Sequence, residues 1–212
     1  MATKIIRLVI AAAVATCSGC SGAFVTGAWK TTDINSYNPK KILVLATVEP
    51  GNDSLRNVLE QKVERRLHYL SYKAASSGMT YGSRAFDLEN ESAMTARMAT
   101  DSVDAVITIT LLNWKIERKA MPEDLWCSPY NNYNRMFWCY QGAITKRVGS
   151  PSYFSPQASY FWEVNLYDAS TQKLLYCVRT GHTSLPLVKK NAMYCIDLII
   201  SDMVWQDVLQ TP

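Results

Sequence analysis

The chain predicts an α/β fold, an α+β sandwich with a mixed sheet of about five strands packed by two to three helices, and three stretches carry the prediction. Lys41–Val48 and Val103–Trp114 are continuous aliphatic and β-branched runs, as expected of central strands covered on both faces. Between them, Ser54–Leu70 places Leu55, Val58, Leu59, Val63, Leu67 and Leu70 at helical spacing, with charged residues mainly elsewhere on the wheel. Strand, helix, short strand, helix and strand in succession argue for helices layered on a sheet and against an all-β fold.

The remaining elements follow in order. Glu49-Pro-Gly-Asn-Asp53 breaks the first strand, and Asn52, Asp53 or Ser54 can cap the helix after it. Tyr72–Ala75 reads as a short strand, Gly78–Gly82 as a loop and Glu89–Thr100 as a second helix. Along Ser159–Tyr167, Tyr160, Trp162, Val164 and Leu166 share one face, with Glu163 and Asn165 opposite. A turn at Asp168–Lys173 then returns the chain through Leu174–Thr180 as an antiparallel hairpin. Val188–Leu209 is a closing helix, with Val188, Ala192, Cys195, Ile196, Ile199 and Met203 as its stripe.

The first residues carry an address. Lys4 and Arg7 precede the apolar run Leu8–Ala15, which is too short to span a bilayer, and small residues with a cysteine follow. That is the grammar of a secretory signal. Ser18-Gly19-Cys20 resembles a bacterial lipobox, a resemblance that implies acylation of Cys20 as the mature N-terminus. Cys17 is the alternative. The expected organisation is a lipoprotein signal peptide over 1–19, a tether over 20–40 and one α/β domain over 41–210. Ser21 after the cysteine resembles the outer-membrane default of such lipoproteins. The expected location is therefore the cell envelope, lipid-anchored on the periplasmic face of the outer membrane.

Removing residues 1–19 leaves 193 of 212, enough for one domain with a sizeable core. The formal net charge of +4 falls to +2 without Lys4 and Arg7, which excludes a nucleic-acid binder driven by charge. Export places Cys127, Cys139, Cys177 and Cys195 where disulfides form. Four cysteines allow three connectivities. Cys127 with Cys139 is the local candidate, while Cys177 and Cys195 fall on core positions of a strand and a helix.

The order Ile42-Leu-Val-Leu, Val103-Asp-Ala-Val-Ile-Thr, Phe161-Trp-Glu and Leu166-Tyr-Asp-x-x-Thr-x-Lys-Leu resembles uncharacterised α/β envelope lipoproteins of Gram-negative bacteria. More distantly the chain is similar to the domain shared by the TolB amino-terminal region, the curli-secretion lipoprotein and the lipoprotein activators of penicillin-binding proteins. That resemblance implies assembly or activation of other envelope proteins, with no catalytic residues to transfer.

Catalytic signatures are scarce. His68 and His182 are the two histidines, and no H-E-x-x-H, G-x-S-x-G or phosphate-binding glycine loop occurs. Ser170–Lys173 fits S-x-x-K but falls in a hairpin turn and lacks its companion motifs. Nothing in the spacing of Glu89, Glu91 and Asp104 brings them together. The chain is expected to be no enzyme and to hold no cofactor and no metal.

The segment 115–157 is an aromatic-rich arm inserted between two strands, far longer than the usual connection of roughly 4–6 residues. Trp126, Tyr130, Tyr133, Arg135, Phe137, Trp138 and Tyr140 form its candidate interaction surface, since aromatics and Arg dominate protein interfaces. An envelope protein partner is the first expectation. Peptidoglycan or another glycan stacked on the rings is the alternative, and rings folded back over the sheet with Cys127–Cys139 pinning the arm is the structural one.

Overall fold

The computed structural model describes residues 24–120, 127, 135–181, 183–184 and 189–211. Its strands are β1 (Val25–Lys30), β2 (Lys41–Thr47), β3 (Lys73–Ser76), β4 (Ala105–Asn113), β5 (Ser159–Asp168), β6 (Leu174–Thr180) and the two-residue β7 (Thr183–Ser184). Its α-helices are α1 (Asp53–Tyr69), α2 (Ser77–Tyr81), α3 (Glu91–Thr100), α4 (Trp114–Ala120), α5 (Phe137–Val148) and α6 (Lys189–Trp205). The strands form one mixed sheet in the order β1-β6-β5-β4-β2-β3, with β7 beside β5. β2, β3 and β4 run parallel, and β4-β5-β6-β1 continue antiparallel. The α+β sandwich is as expected; the sheet is wider than five strands, and six helices stand where two or three were expected.

Both faces of the sheet are covered, which is why β2 and β4 read as unbroken apolar runs. On one face Ile42, Val44, Ile107, Ile109, Trp162, Val164 and Val178 meet Leu59 and Val63 of α1 and Ile196, Ile199 and Met203 of α6. On the other, Leu43, Val106, Leu112, Phe161 and Tyr167 lie under Met94 and Met98 of α3 and Phe137, Tyr140 and Ile144 of α5. The connection β2-α1-β3 leaves to one side of β2 and β3-α3-β4 returns to the other. The two helices therefore lie on opposite faces, as right-handed crossovers require.

Two local expectations need correction. Residues 25–30 are no tether: they form edge strand β1, paired with β6 from Val25–Thr180 to Lys30–Tyr176. Trp29 packs partly buried against the α5-side core, and Lys30 donates from Nζ to the Gln206 carbonyl at 2.7 Å. The strand escapes notice because its exposed edge carries small and polar residues, as edges must. The Gly78–Gly82 loop is helix α2 plus a Gly82 at φ 94° that ends it. The last helix is described from Lys189, and Val188 lies outside the described residues.

α1 starts where the Asn52 side chain accepts from the Leu55 N–H at 3.2 Å, and Gly51 adopts φ 82° in the turn before it. On its inner face, Glu60 is fully buried. Its carboxylate accepts from the Ala46 N–H (3.0 Å), the Ser76 hydroxyl (2.6 Å), the Ser77 hydroxyl (2.9 Å) and the Gly78 N–H (2.9 Å). One side chain thus ties α1, β2, β3 and α2 together. Glu60→Ala strands these donors and should lower unfolding free energy by about 3 kcal/mol in urea titration. Glu60→Gln, which keeps an accepting oxygen, should cost less.

Candidate functional site

A polar patch interrupts the α5-side core at the middle of the sheet. Register sets Thr108 opposite Asn165 and Thr110 opposite Glu163 across β4 and β5, then Asn165 opposite Cys177 and Glu163 opposite Arg179 across β5 and β6. Strand alternation turns these side chains to the face away from Trp162 and Val164. All are buried, with Tyr140 of α5 over Thr110. The polar face of β5 is therefore roofed by helix and shut off from solvent.

Glu163 and Arg179 form an ion pair, with Arg179 Nε donating to Glu163 Oε2 at 2.6 Å and Nη2 reaching the same oxygen. Asn165 Nδ2 donates to Glu163 Oε1 at 3.2 Å, and the Arg179 guanidinium lies 5.0 Å over the Phe161 ring. Tyr140 descends from α5 and donates to Thr110 Oγ1 at 2.9 Å. Burial, with the Glu163 charge beside them, pushes the Tyr140 and Tyr167 hydroxyls well above the usual phenol range.

A second pair lies at the end of β4. Glu117 of α4 accepts from Arg147 Nη1 at 2.7 Å and from the Tyr153 hydroxyl at 2.9 Å. Tyr153 in turn accepts from the Asn113 N–H at 3.0 Å, and Asn113 Nδ2 donates to the Tyr153 carbonyl at 2.7 Å. Burial raises the Glu117 carboxyl above its ordinary value, against the opposing pull of Arg147 and the Tyr153 hydroxyl. Each carboxylate is matched by an arginine, while Thr108 Oγ1 and Asn165 Oδ1 are buried beside the pair without a hydrogen bond among the described residues.

The disulfide differs from the local candidate. Cys127 bonds Cys177 of β6, across a sequence separation of 50 and a Cα–Cα distance of 5.2 Å. Cys139 is free and exposed on α5, and Cys195 is free and buried, its thiol pushed up to about 11 by burial. The reason is helical. Phe137, Trp138, Tyr140, Gln141 and Ile144 take the inward side of α5 and leave position 139 outward, whereas Cys177 faces the core below. The Cys127 and Cys177 sulfurs and a Glu163 oxygen lie within 4.8 Å of one another. With the sulfurs bonded together and Glu163 paired to Arg179, the trio does not fit a metal ion.

Of the candidate interaction surface, Trp126, Tyr130 and Tyr133 lie outside the described residues, as do Cys17, Cys20 and His182. Arg135 is exposed, and its carbonyl accepts from the Leu174 N–H at 3.0 Å. Phe137, Trp138 and Tyr140 are not surface residues. They are 1%, 3% and 0% exposed, and Trp138 Nε1 donates to Thr95 Oγ1 at 2.9 Å. Phe86, Phe137, Trp138 and Tyr167 make a connected set of stacked and edge-on rings over the sheet. For these three the packing reading holds.

His68 is exposed and sits beside the Ala74 backbone, 3.2 Å from its carbonyl and 3.3 Å from its nitrogen. Asp104 accepts from the Lys40 and Lys41 N–H groups at 2.8 and 2.9 Å, a structural task. Glu89 and Glu91 line an open depression with Thr95 and Gln172, remote from either arginine pair. Ser170 and Thr171 donate to Asp168 in the hairpin turn at 2.7 Å each. Burial would raise the Asp168 carboxyl, but these bonds, the Thr171 N–H and Tyr37 hold it below the usual range.

No protein-family model matches the sequence, and no curated protein matches it. Among solved structures the chain is similar to a point variant of the PelC dodecamer from Paraburkholderia phytofirmans. That alignment covers 90% of this chain and 98% of that one, at 7% identity and a TM-score of 0.40. A second PelC dodecamer from the same organism aligns over 90% and 99% of the two chains, at 7% identity and a TM-score of 0.37. Likeness at this level says nothing of what this chain binds or does.

Two outcomes test the site. Arg179→Met alone leaves Glu163 buried without its counter-charge and should cost about 3–5 kcal/mol, while Glu163→Gln with Arg179→Met should recover much of that, read as a double-mutant cycle. Closing a 50-residue loop, the Cys127–Cys177 bond should contribute about 4 kcal/mol. Cys127→Ser should therefore lower Tm strongly and Cys139→Ser hardly at all, and non-reducing peptide mapping should recover the 127–177 pair.

Proposed function

We propose that this protein is a non-catalytic, lipid-anchored envelope lipoprotein acting as an interaction or assembly module. The observation that carries this reading is the Cys127–Cys177 disulfide inside the core of the domain. Structural disulfides of this kind belong to exported proteins, because reducing compartments keep such thiols open. The bond agrees in compartment with the signal grammar of residues 1–19 and the acylatable Cys20, two features of a different stretch of chain. The likeness of the strand motifs to envelope lipoproteins adds to it, and Ser21 favours the outer membrane.

The arrangement of titratable groups favours binding over catalysis. Glu163 on β5 and Glu117 on α4 each face an arginine and are buried. A general acid or base needs access to a substrate proton. These groups have spent their hydrogen bonds on the fold.

With Phe137, Trp138 and Tyr140 taken up by packing, the proposed interaction surface contracts to Trp126, Tyr130 and Tyr133 together with exposed Arg135. Cys127 fixes this stretch to β6 at one point. Replacing Trp126, Tyr130 and Tyr133 by Ala should leave the Tm within a few degrees and remove a stoichiometric partner from cross-linked envelope pull-downs. An unchanged set of captured proteins would refute the interaction role, and loss of folding would return the three rings to the core.

A further inference from the structure

We propose that the domain docks against an anionic bilayer surface through the end of the sheet where the chain enters, with α4 as its basic contact. The inference rests on acylation of Cys20. It follows from where β1 begins. Phe24 immediately precedes β1, so four residue steps separate it from Cys20. Fully extended, they span at most about 14 Å. A lipoprotein with a long tether floats free of its membrane; this one cannot.

Strand directions decide which end faces the lipid. β1 pairs antiparallel with β6, so Val25 lies beside Thr180, the C-terminal residue of β6. β6 and β4 both run antiparallel to β5, and the C-terminal ends of β4 and β6 therefore share this end of the sheet. Phe24 is held there: its carbonyl accepts from the Gly181 N–H at 2.7 Å, and its ring covers Gly181 so closely that a Cβ would approach it to 2.7 Å. The ring nevertheless stays 62% exposed. An exposed Phe four positions from an acylated cysteine is placed to enter the interface.

α4 continues directly from β4 at the same end. Its inward positions are Ile116 and the buried Glu117, while Lys115, Arg118 and Lys119 are exposed at i, i+3 and i+4. The Arg118 guanidinium lies 5.7 Å over the ring of half-buried Trp114. Among the described residues, Glu117 pairs with Arg147 and Asp53 with Arg56, and Glu49 is exposed on the turn after β2. Three clustered cations at the same end of the sheet as the acyl anchor suit an anionic lipid surface, where each Lys or Arg adds affinity and one chain alone binds marginally. Glu123 and Asp124 follow in sequence, outside the described residues.

Hydrogen exchange on the full mature lipoprotein anchored in vesicles reads the contact. Phosphatidylcholine vesicles are compared with vesicles containing phosphatidylglycerol. Co-flotation with phosphatidylcholine reports the anchor independently of charge. Docking predicts slower exchange over 114–120 on the anionic vesicles alone, lost at high salt and lost in the Lys115→Glu, Arg118→Glu, Lys119→Glu variant. The milder Lys115→Gln, Lys119→Gln variant should weaken the effect, and exchange near Trp205, at the far end of α6, should not respond in any form. Co-flotation with equal exchange on both lipids overturns docking and leaves the anchor intact. Failure to float on phosphatidylcholine overturns the anchor and docking with it.

Discussion

The structure depends on burying a charged pair at the centre of its own sheet. Glu163 and Arg179 occupy a polar region of the α5-side face, 0% and 4% exposed. Ions this deep are tolerated only when paired and hydrogen-bonded. The surrounding residues are arranged to do that. Asn165 holds the second carboxylate oxygen, Phe161 offers its ring face to the guanidinium, and Tyr140 and Thr110 close the side toward α5. α5 cannot lift away without exposing the pair to a half-solvated state, and the Cys127–Cys177 bond fixes the chain before α5 to the same strand. A polar centre, a helix roof and a covalent staple thus act on one region. Such a centre limits which helix can cover the face, because an apolar roof without Tyr140 would leave Thr110 without its donor.

The opposite face works by ordinary apolar packing. α1 and α6 lie side by side on it, joined at the surface by Lys62 and Arg66 to Asp197 at 2.9 and 3.3 Å. These partly exposed bridges contribute modestly. The buried aliphatic stripes of the two helices supply the stability, with Glu60 as the polar exception that carries its own four donors. The segment after α6 closes this layer as well, since the Gln210 N–H donates to the Tyr72 hydroxyl at 2.8 Å.

Much of this was legible from residues. β2, β4, α1, the β5–β6 hairpin and α6 stand where the periodicities place them, because each buries a continuous run or stripe. β1 was not, since an edge strand of Gly, Ala and Thr has no pattern distinct from a linker. The polar patch was half legible: alternation puts Glu163 and Asn165 on one face of β5, but only the tertiary arrangement of α5 makes that face interior. The aromatic arm is ambiguous in sequence for the same reason. Phe137, Trp138 and Tyr140 have the composition of an interface and the positions of a core helix, and spacing over one short helix does not distinguish a partner from the protein's own sheet. The cysteine pairing depends on which side of α5 carries Cys139, a rotation that sequence spacing of 12 does not encode.

The proposed interaction role depends on the lipid anchor at Cys20. Mass spectrometry of the N-terminal peptide of the protein extracted from bacterial envelopes tests it most directly. The account predicts a peptide beginning at Cys20 and carrying the mass of a diacylglyceryl group with its acyl chains, absent from a Cys20→Ala variant. A peptide retaining residues 1–19, or one cleaved nearby with Cys20 unmodified, would contradict it.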